Sequence, residues 1–283
     1  MSWADLTRAY RDFYAAETGS ADAEKGWRAF EGCVSDTAER PPYHISLLFD
    51  RLEAFRGDRP RASIVILDHG CGSALTLFYL AVLGYTNFWG VDVGGDFATR
   101  NEIARRLFGH PENRLSVYDG TNLPLPDACV DVVFSQQVIE HLSDTVLEPY
   151  YREEARVLKS GSLAVHYVPH RLVPYDSHTK TWLIHYLPGP LYRGAAKLFG
   201  SPVPDYLFLR WPWTHKALLR RHIGRVEDVT TARFATLHDA DNYDGSLRLR
   251  NLIARAMQAP IFGPIFKAIL GYFVMLETVC VKS

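Results

Sequence analysis

The chain has 283 residues, 47% of them hydrophobic, and a formal net charge of −1 at pH 7. That much apolar matter builds a full core and excludes a disordered or fibrous chain, while the neutral balance removes any whole-molecule preference for nucleic acid or anionic lipid. Cys33, Cys71, Cys129 and Cys280 lie far apart, with no C-x-x-C pair for zinc or redox work, which points to a reducing, cytoplasmic setting.

Taken in chain order, "MSWADLTRAYRDFY" is polar and helical in rhythm, unlike a signal peptide. Residues 1–60 are predicted to be a helical cap, broken at Pro41-Pro42 before "YHISLLFDRLEAF". From residue 61 a core domain is expected to run to 283. Its strands are predicted at "SIVIL", "NFWGVDV", "RLSVYD", "VDVVFS" and "SLAVHYV". Helices are expected at "ALTLFYLAVLG", closed by Gly84, at "DFATRNEIARRLFG", closed by Gly109, and at "TVLEPYYREEARVLK". Apolar runs without period-two alternation mean strands buried on both faces. Strand–helix–strand order then predicts an α/β fold with a doubly wound, mostly parallel sheet.

After the fifth strand the pattern turns irregular. "PHRLVPYDSHTKTWLIHYLPGP" and "LFLRWPWTHKALLRRH" are read as an insertion, about 170–225, over the open end of the sheet. The stretch from Ala259 to Val281 is long enough to raise the question of a membrane span. Yet Lys267 and Glu277 lie inside it and Gly263-Pro264 and Gly271 interrupt it, so a buried helix followed by a strand is expected. The tail "YFVMLETVCVKS" predicts a last strand at the sheet's edge.

"IVILDHGCGSA" carries the chemistry. Gly70 and Gly72 fall between the first strand and the next helix, where open α/β sheets bind ligands and where glycine lets a ligand approach the main chain. A dinucleotide turn needs a third glycine where Leu75 stands, and a phosphate loop needs a Gly-Lys-Ser/Thr ending that is absent. What remains is Asp68, then Asp92 closing the second strand, able to accept both ribose hydroxyls, then Asp119 closing the third, able to accept an adenine amino group. Three carboxylates repel a pyrophosphate but suit a ligand with an ammonium and a sulfonium, so the charge pattern favours S-adenosyl-L-methionine.

With "LDHGCGSA", "GVDV", "YDGTNLPLPDACVDVVFS" and "EHL" in this order, the chain resembles a class I S-adenosylmethionine-dependent methyltransferase over Ile64 to Val168. The resemblance implies a seven-stranded Rossmann-like sheet. It places the methionine end at Asp68, Gly70, Cys71 and Gly72, the ribose at Asp92 with Val93, the adenine at Asp119 with Gly120, and Gln136 beside the sulfonium. The family often has a glycine where this chain has Ala74. It also often closes its N-terminal segment over the cofactor, which makes Tyr43 and His44 lid candidates.

Methyl transfer is an in-line displacement that needs alignment, and a base only for a hydroxyl or a protonated amine, for which histidine is suited. His141 in "VIEHLSD" and His178 are the expected catalytic histidines, with Glu140 serving a helix N-terminus or a neighbouring side chain. His166, His170, His178 and His185 all follow the fifth strand, where the family places its acceptor pocket, and His170 and Tyr175 are expected to bind substrate. No histidine or acid spacing predicts a metal. Arg210, Lys216, Arg220, Arg221 and Arg225 beside Trp211 and Trp213 allow a solvated helix face, an anionic acceptor or peripheral membrane contact. No long basic track suggests nucleic acid. The expected activity is methylation, on oxygen or nitrogen, of a small-molecule or lipid- or sugar-linked biosynthetic intermediate. Two rivals stand beside it: a cofactor-binding but catalytically silent partner subunit, and an NAD-dependent oxidoreductase.

Overall fold

The computed structural model describes residues 43–110, 112–232, 256–257 and 259–283. The expected N-terminal cap lies outside them up to residue 42, as does Cys33. Strands β1 (Ile66–His69), β2 (Phe88–Asp92), β3 (Leu115–Val117), β4 (Val130–Gln136), β5 (Leu158–Val168), β8 (Gly224–Asp228) and β9 (Leu276–Lys282) form one sheet in the order β3-β2-β1-β4-β5-β9-β8. The pairs β1–β2, β2–β3 and β4–β5 are parallel, while β9 runs antiparallel to both β5 and β8. The sheet is seven-stranded and mostly parallel, as the family resemblance implies. The chain divides into two compact units, residues 1–117 and 118–283.

The first unit contains α1 (Tyr43–Arg56), β1, α2 (Leu75–Val82), β2, α3 (Ala98–Phe108) and β3. All four residues of β1 are buried: Ile66 and Leu67, as their apolar run predicts, and also the polar Asp68 and His69. Glu53 ties α1 to the entry of β1 and the turn after α2. It accepts from Arg56 at 2.9 Å, Arg61 at 2.8 Å and the Tyr85 hydroxyl at 2.6 Å. Buried Asn101 does the same for α3 and β3, donating to the Leu115 carbonyl at 2.8 Å and accepting from the Arg114 and Leu115 amides. Asn101 satisfies backbone that the turn between two elements leaves unpaired, and Arg61, held by Glu53, does so for the Leu83 carbonyl at 2.7 Å.

The second unit contains β4, α4 (Asp144–Val157), β5, the two-stranded ribbon β6 (Tyr175–Asp176) and β7 (Thr181–Trp182), α5 (Gly189–Leu198), α6 (Pro212–His222), β8, α7 (Gly263–Gly271) and β9. Three expectations need correction. The tail strand β9 is interior rather than an edge: it lies between β5 and β8, because β8, too polar and short to read as a strand, pairs along its outer side. Helix α7 is not buried; only its Gly263 is, and Ile265, Ile269 and the neighbouring Ile261 and Phe262 face outward. Among the described residues no helix is long and apolar enough to cross a membrane. Finally, His166 does not follow the fifth strand. It lies within β5, fully buried, bonded to Glu154 at 2.9 Å, and with Tyr151, His215 and Thr278 it forms a polar seam inside the core.

Candidate active site

In the first unit the strand ends converge on the glycine turn. The Gly70 and Cys71 amides donate to the Val91 carbonyl at 2.8 and 2.9 Å, which anchors the turn to β2. Gly72 adopts φ +49°, and a Cβ built there would meet nothing within 4 Å. Its freedom is therefore conformational, and space for a ligand lies beside it. Its amide donates to Asp92 Oδ2 at 2.8 Å, and among the described residues Oδ1 has a single long approach, from the Gly94 amide at 3.4 Å. Asp68 is buried, and burial first and the Asp92 carboxylate second push its carboxyl well above the usual carboxylate range. A second acid beside a buried one holds a proton on it unless a cation arrives. Val93 follows β2 with 65% of its surface exposed, an apolar side chain left at the mouth of the turn.

Ala74 also sits in the left-handed region, at φ 57°, as the residue before α2. The small substitution for the family's glycine thus keeps the glycine conformation. Sequence reasoning missed Gly90. A Cβ there would lie 2.7 Å from Leu115 Cδ2, 2.8 Å from Leu77 Cδ1 and 3.1 Å from Cys71 Cβ. Gly90 gives α2 and the turn their close seat on β2. The signal available was its place two residues before Asp92 on a strand otherwise built of bulky residues.

In the second unit Asp119 is exposed and folds onto its own turn. Its Oδ1 accepts from the Thr121 and Asn122 amides at 2.7 Å each, and its Oδ2 from Asn122 Nδ2 at 2.8 Å. Those bonds, those from Asn122 first, hold its carboxyl below the usual range. Gly120, at φ 79°, makes the turn possible. Gln136 ends β4. Tyr43 opens α1 in the first unit.

The acceptor-side candidates separate into two groups. His141 lies in a 3-10 turn over Ile139–His141, 5.1 Å from the His178 ring between centroids. Its Nδ1 bonds to the Tyr206 carbonyl at 3.2 Å, and burial lowers its pKa. Arg210 pins that turn, donating to the Ile139 carbonyl at 3.1 Å and to the Leu142 carbonyl and Asp144. Glu140 is buried in the same turn, and burial pushes its carboxyl up to about 8. His178 bonds through Nδ1 to Asp176 Oδ1 at 3.1 Å. Asp176, quoted in the sequence only as part of a cluster, also takes Thr179 Oγ1 at 2.6 Å and the Tyr192 hydroxyl at 2.9 Å, and lies below its usual pKa despite burial. Tyr192, fourteen residues downstream of His178, gave no signal of this.

His170 and His185 are braces. His170 Nε2 meets the Val274 carbonyl at 2.9 Å and its Nδ1 accepts from the Leu172 amide at 3.2 Å. His185 Nε2 meets the Val173 carbonyl at 2.7 Å. Tyr175 is exposed beside Trp182, and with His170, Asp176 and His178 it lines a small, open surface pocket. Of the basic segment, Lys216 pairs with Asp228 at 2.9 Å and Arg221 with Glu148 at 2.7 Å. Trp211 stacks on Trp213 at 5.0 Å. These pairings match the solvated helix face.

A family model described as a methyltransferase domain matches residues 67–166. The tRNA U34 carboxymethyltransferase of Actinobacillus pleuropneumoniae serotype 7 (strain AP76) is 27% identical over 162 residues, 52% of this chain and 50% of that one. A "Probable S-adenosylmethionine-dependent methyltransferase" of Mycobacterium tuberculosis (strain ATCC 25618 / H37Rv) is 52% identical over 50 residues, 18% of each chain. The chain therefore spans at most about half the length of these curated relatives. Among solved structures, the geranyl diphosphate C-methyltransferase from Streptomyces coelicolor A3(2), in complex with Mg2+, geranyl diphosphate and S-adenosyl-L-homocysteine, aligns with a TM-score of 0.49 at 12% identity, over 93% of this chain and 82% of that one. Over Leu67 to His166, with its glycine turn and strand-end acids, the chain is similar to the methyltransferase-domain family, in line with its resemblance to class I S-adenosylmethionine-dependent methyltransferases.

Proposed function

We propose that the chain is an S-adenosylmethionine-dependent methyltransferase acting on a small-molecule or lipid- or sugar-linked intermediate, on oxygen or nitrogen. The observation that carries the reading is the pair of acids at the ends of β1 and β2: Asp68 buried beneath the turn, and Asp92 folded onto the Gly72 amide with Oδ1 left for a ribose hydroxyl. Such a pair disfavours a diphosphate and favours a cationic ligand. The cofactor, when bound, supplies an electrophilic methyl carbon on a sulfonium. Asp68, its proton passing to solvent, would face the ligand's ammonium as a carboxylate, and Asp92 with Val93 would hold the ribose. Asp119 with Gly120, Gln136 and Tyr43 keep the adenine, sulfonium and lid roles that the family resemblance implies. An Asp119 carboxylate with three bonds still has a lone pair to offer.

On the acceptor side, His141 and His178 take the catalytic roles, with Tyr175 and His170 lining the adjoining pocket. The segment from about 170 to 225 is the acceptor module. The unpaired state of Cys71, Cys129 and Cys280 supports a cytoplasmic setting.

The test is isothermal titration of the full chain with S-adenosylhomocysteine and, separately, NADH, followed by a labelled-methyl turnover assay over a metabolite panel. One-to-one binding of S-adenosylhomocysteine with product formation is expected. No binding overturns the proposal, NADH binding in its place revives the oxidoreductase, and binding without any product supports the silent partner subunit.

A further inference from the structure

One group in the second unit is left without an explanation by the scaffold. Both carboxylate oxygens of Glu140 are buried and have no hydrogen-bond partner among the described residues, and the residue is 1% exposed. A buried, unpaired carboxylate is costly, and proteins keep one where a cation or proton answers it. Arg210, which pins the same turn, spends its guanidinium on the carbonyls of Ile139, Leu142 and Phe208 and on Asp144 rather than on Glu140.

What faces Glu140 is a pair of imidazoles. His141 Nε2 lies 3.9 Å from Glu140 Oε1. One donor atom from each of Glu140, His141 and His178 lies within 4.8 Å of the other two. The tautomers follow from their outer partners. A carbonyl can only accept, so His141 Nδ1 carries the proton it gives to the Tyr206 oxygen. His178 Nδ1 likewise donates to Asp176 Oδ1, and Asp176 is itself fixed by the His178 amide, Thr179 and Tyr192. Each ring therefore keeps an unprotonated Nε2. An imidazole whose outer nitrogen is locked to a carboxylate or carbonyl while the inner one stays bare is the usual dress of a metal ligand.

We propose that Glu140, His141 and His178 form a binding site for a divalent transition cation, with Asp176 and the Tyr206 carbonyl as its outer shell. Two imidazoles and one carboxylate favour zinc, manganese or iron over calcium and magnesium. Metal–ligand bonds of about 2.0–2.2 Å bring donors to roughly 3–3.5 Å apart, so the three side chains close by about 1 Å around the ion. His178 stands on the β6–β7 ribbon, where a small rotation suffices. Nothing in the chain spacing announces this site, since the ligands are 37 residues apart and are joined only by the fold. Three protein ligands leave coordination positions open, and His178 lines the pocket with Tyr175 and Asp176. What the ion does there rests on the methyl-transfer reading: it holds a hydroxyl oxygen of the acceptor. That hydroxyl gives its proton to solvent, its oxygen lone pair forms the new O–CH3 bond, and the S–CH3 bond breaks with its electron pair remaining on sulfur.

The experiment uses the full chain, stripped with a chelator and titrated with cobalt(II) by visible absorption and with zinc by calorimetry. One equivalent is expected, with affinity reduced about 10- to 100-fold in His178→Asn and in Asp176→Asn, and unchanged in His222→Ala on α6. Thermal unfolding of each variant, and titration of the stripped protein with S-adenosylhomocysteine, accompany the metal titrations. No stoichiometric cobalt or zinc binding in the folded wild type, or equal binding in the folded variants, overturns the site. Loss of S-adenosylhomocysteine binding with cobalt binding intact overturns the cofactor reading alone.

Discussion

Asp92→Ala separates shaping the turn from holding the cofactor. In the structure Oδ2 accepts the Gly72 amide at 2.8 Å and, among the described residues, Oδ1 is engaged only by the Gly94 amide at 3.4 Å, so Oδ1 is the atom proposed to meet a ribose hydroxyl. A hydrogen bond to a charged group contributes about 1.5–3 kcal/mol, so the dissociation constant for S-adenosylhomocysteine rises roughly 10- to 150-fold. The ligand-free protein responds differently. Losing the Gly72 bond costs about 0.5–1.5 kcal/mol, but removing the carboxylate that helps hold the proton on Asp68 relieves a like-charge contact. These oppose, and stability changes by less than about 1 kcal/mol, or roughly 2–4 °C in Tm. Calorimetric titration paired with thermal unfolding reads both. A dissociation constant within threefold of wild type would refute the role of Asp92, and a large fall in Tm would show that the residue serves the fold rather than the ligand.

Gly90→Ala forces a Cβ to within 2.7–3.1 Å of Leu115, Leu77 and Cys71. Overpacking at about 1–3 kcal/mol outweighs the roughly 0.5–1 kcal/mol gained from a stiffer unfolded chain, so the urea midpoint falls; an unchanged midpoint would mean that α2 is not seated on this strand as described. Glu53 titrates at about 2, against 4.5 for the free carboxyl, chiefly through Arg56, then Arg61 and Tyr85. A depressed carboxyl stabilises the fold above its unfolded pKa, and that stability drains as pH falls from about 4.5 toward 2. At about 1.36 kcal/mol per pH unit the ceiling is near 3 kcal/mol. Glu53→Gln should therefore be less stable than wild type at neutral pH and converge with it near pH 2 in urea titrations; a gap independent of pH would exclude the ion-pair origin.

By itself the sequence determined the parallel α/β core, because its strands are unbroken apolar runs and its turns end in glycine. The turn at Gly70–Gly72 and the acids at Asp68 and Asp92 were legible for the same reason: a glycine turn and the carboxylates beside it are local to strand ends. Tertiary structure alone decided the rest. Strand β8 is polar and takes its identity from pairing with β9, so no periodicity marks it. Helix α7 looks buried by composition, but burial belongs to the neighbours a segment finds rather than to its residues. His166 and His178, both histidines downstream of β4, part company for that reason: one is a fully buried partner of Glu154, the other faces Glu140 and His141 across a turn that Arg210 and the Tyr206 carbonyl hold in place. Chemistry that a strand end carries is written along the chain. Chemistry shared by side chains 37 residues apart exists only after long-range hydrogen bonds and packing bring them to one place.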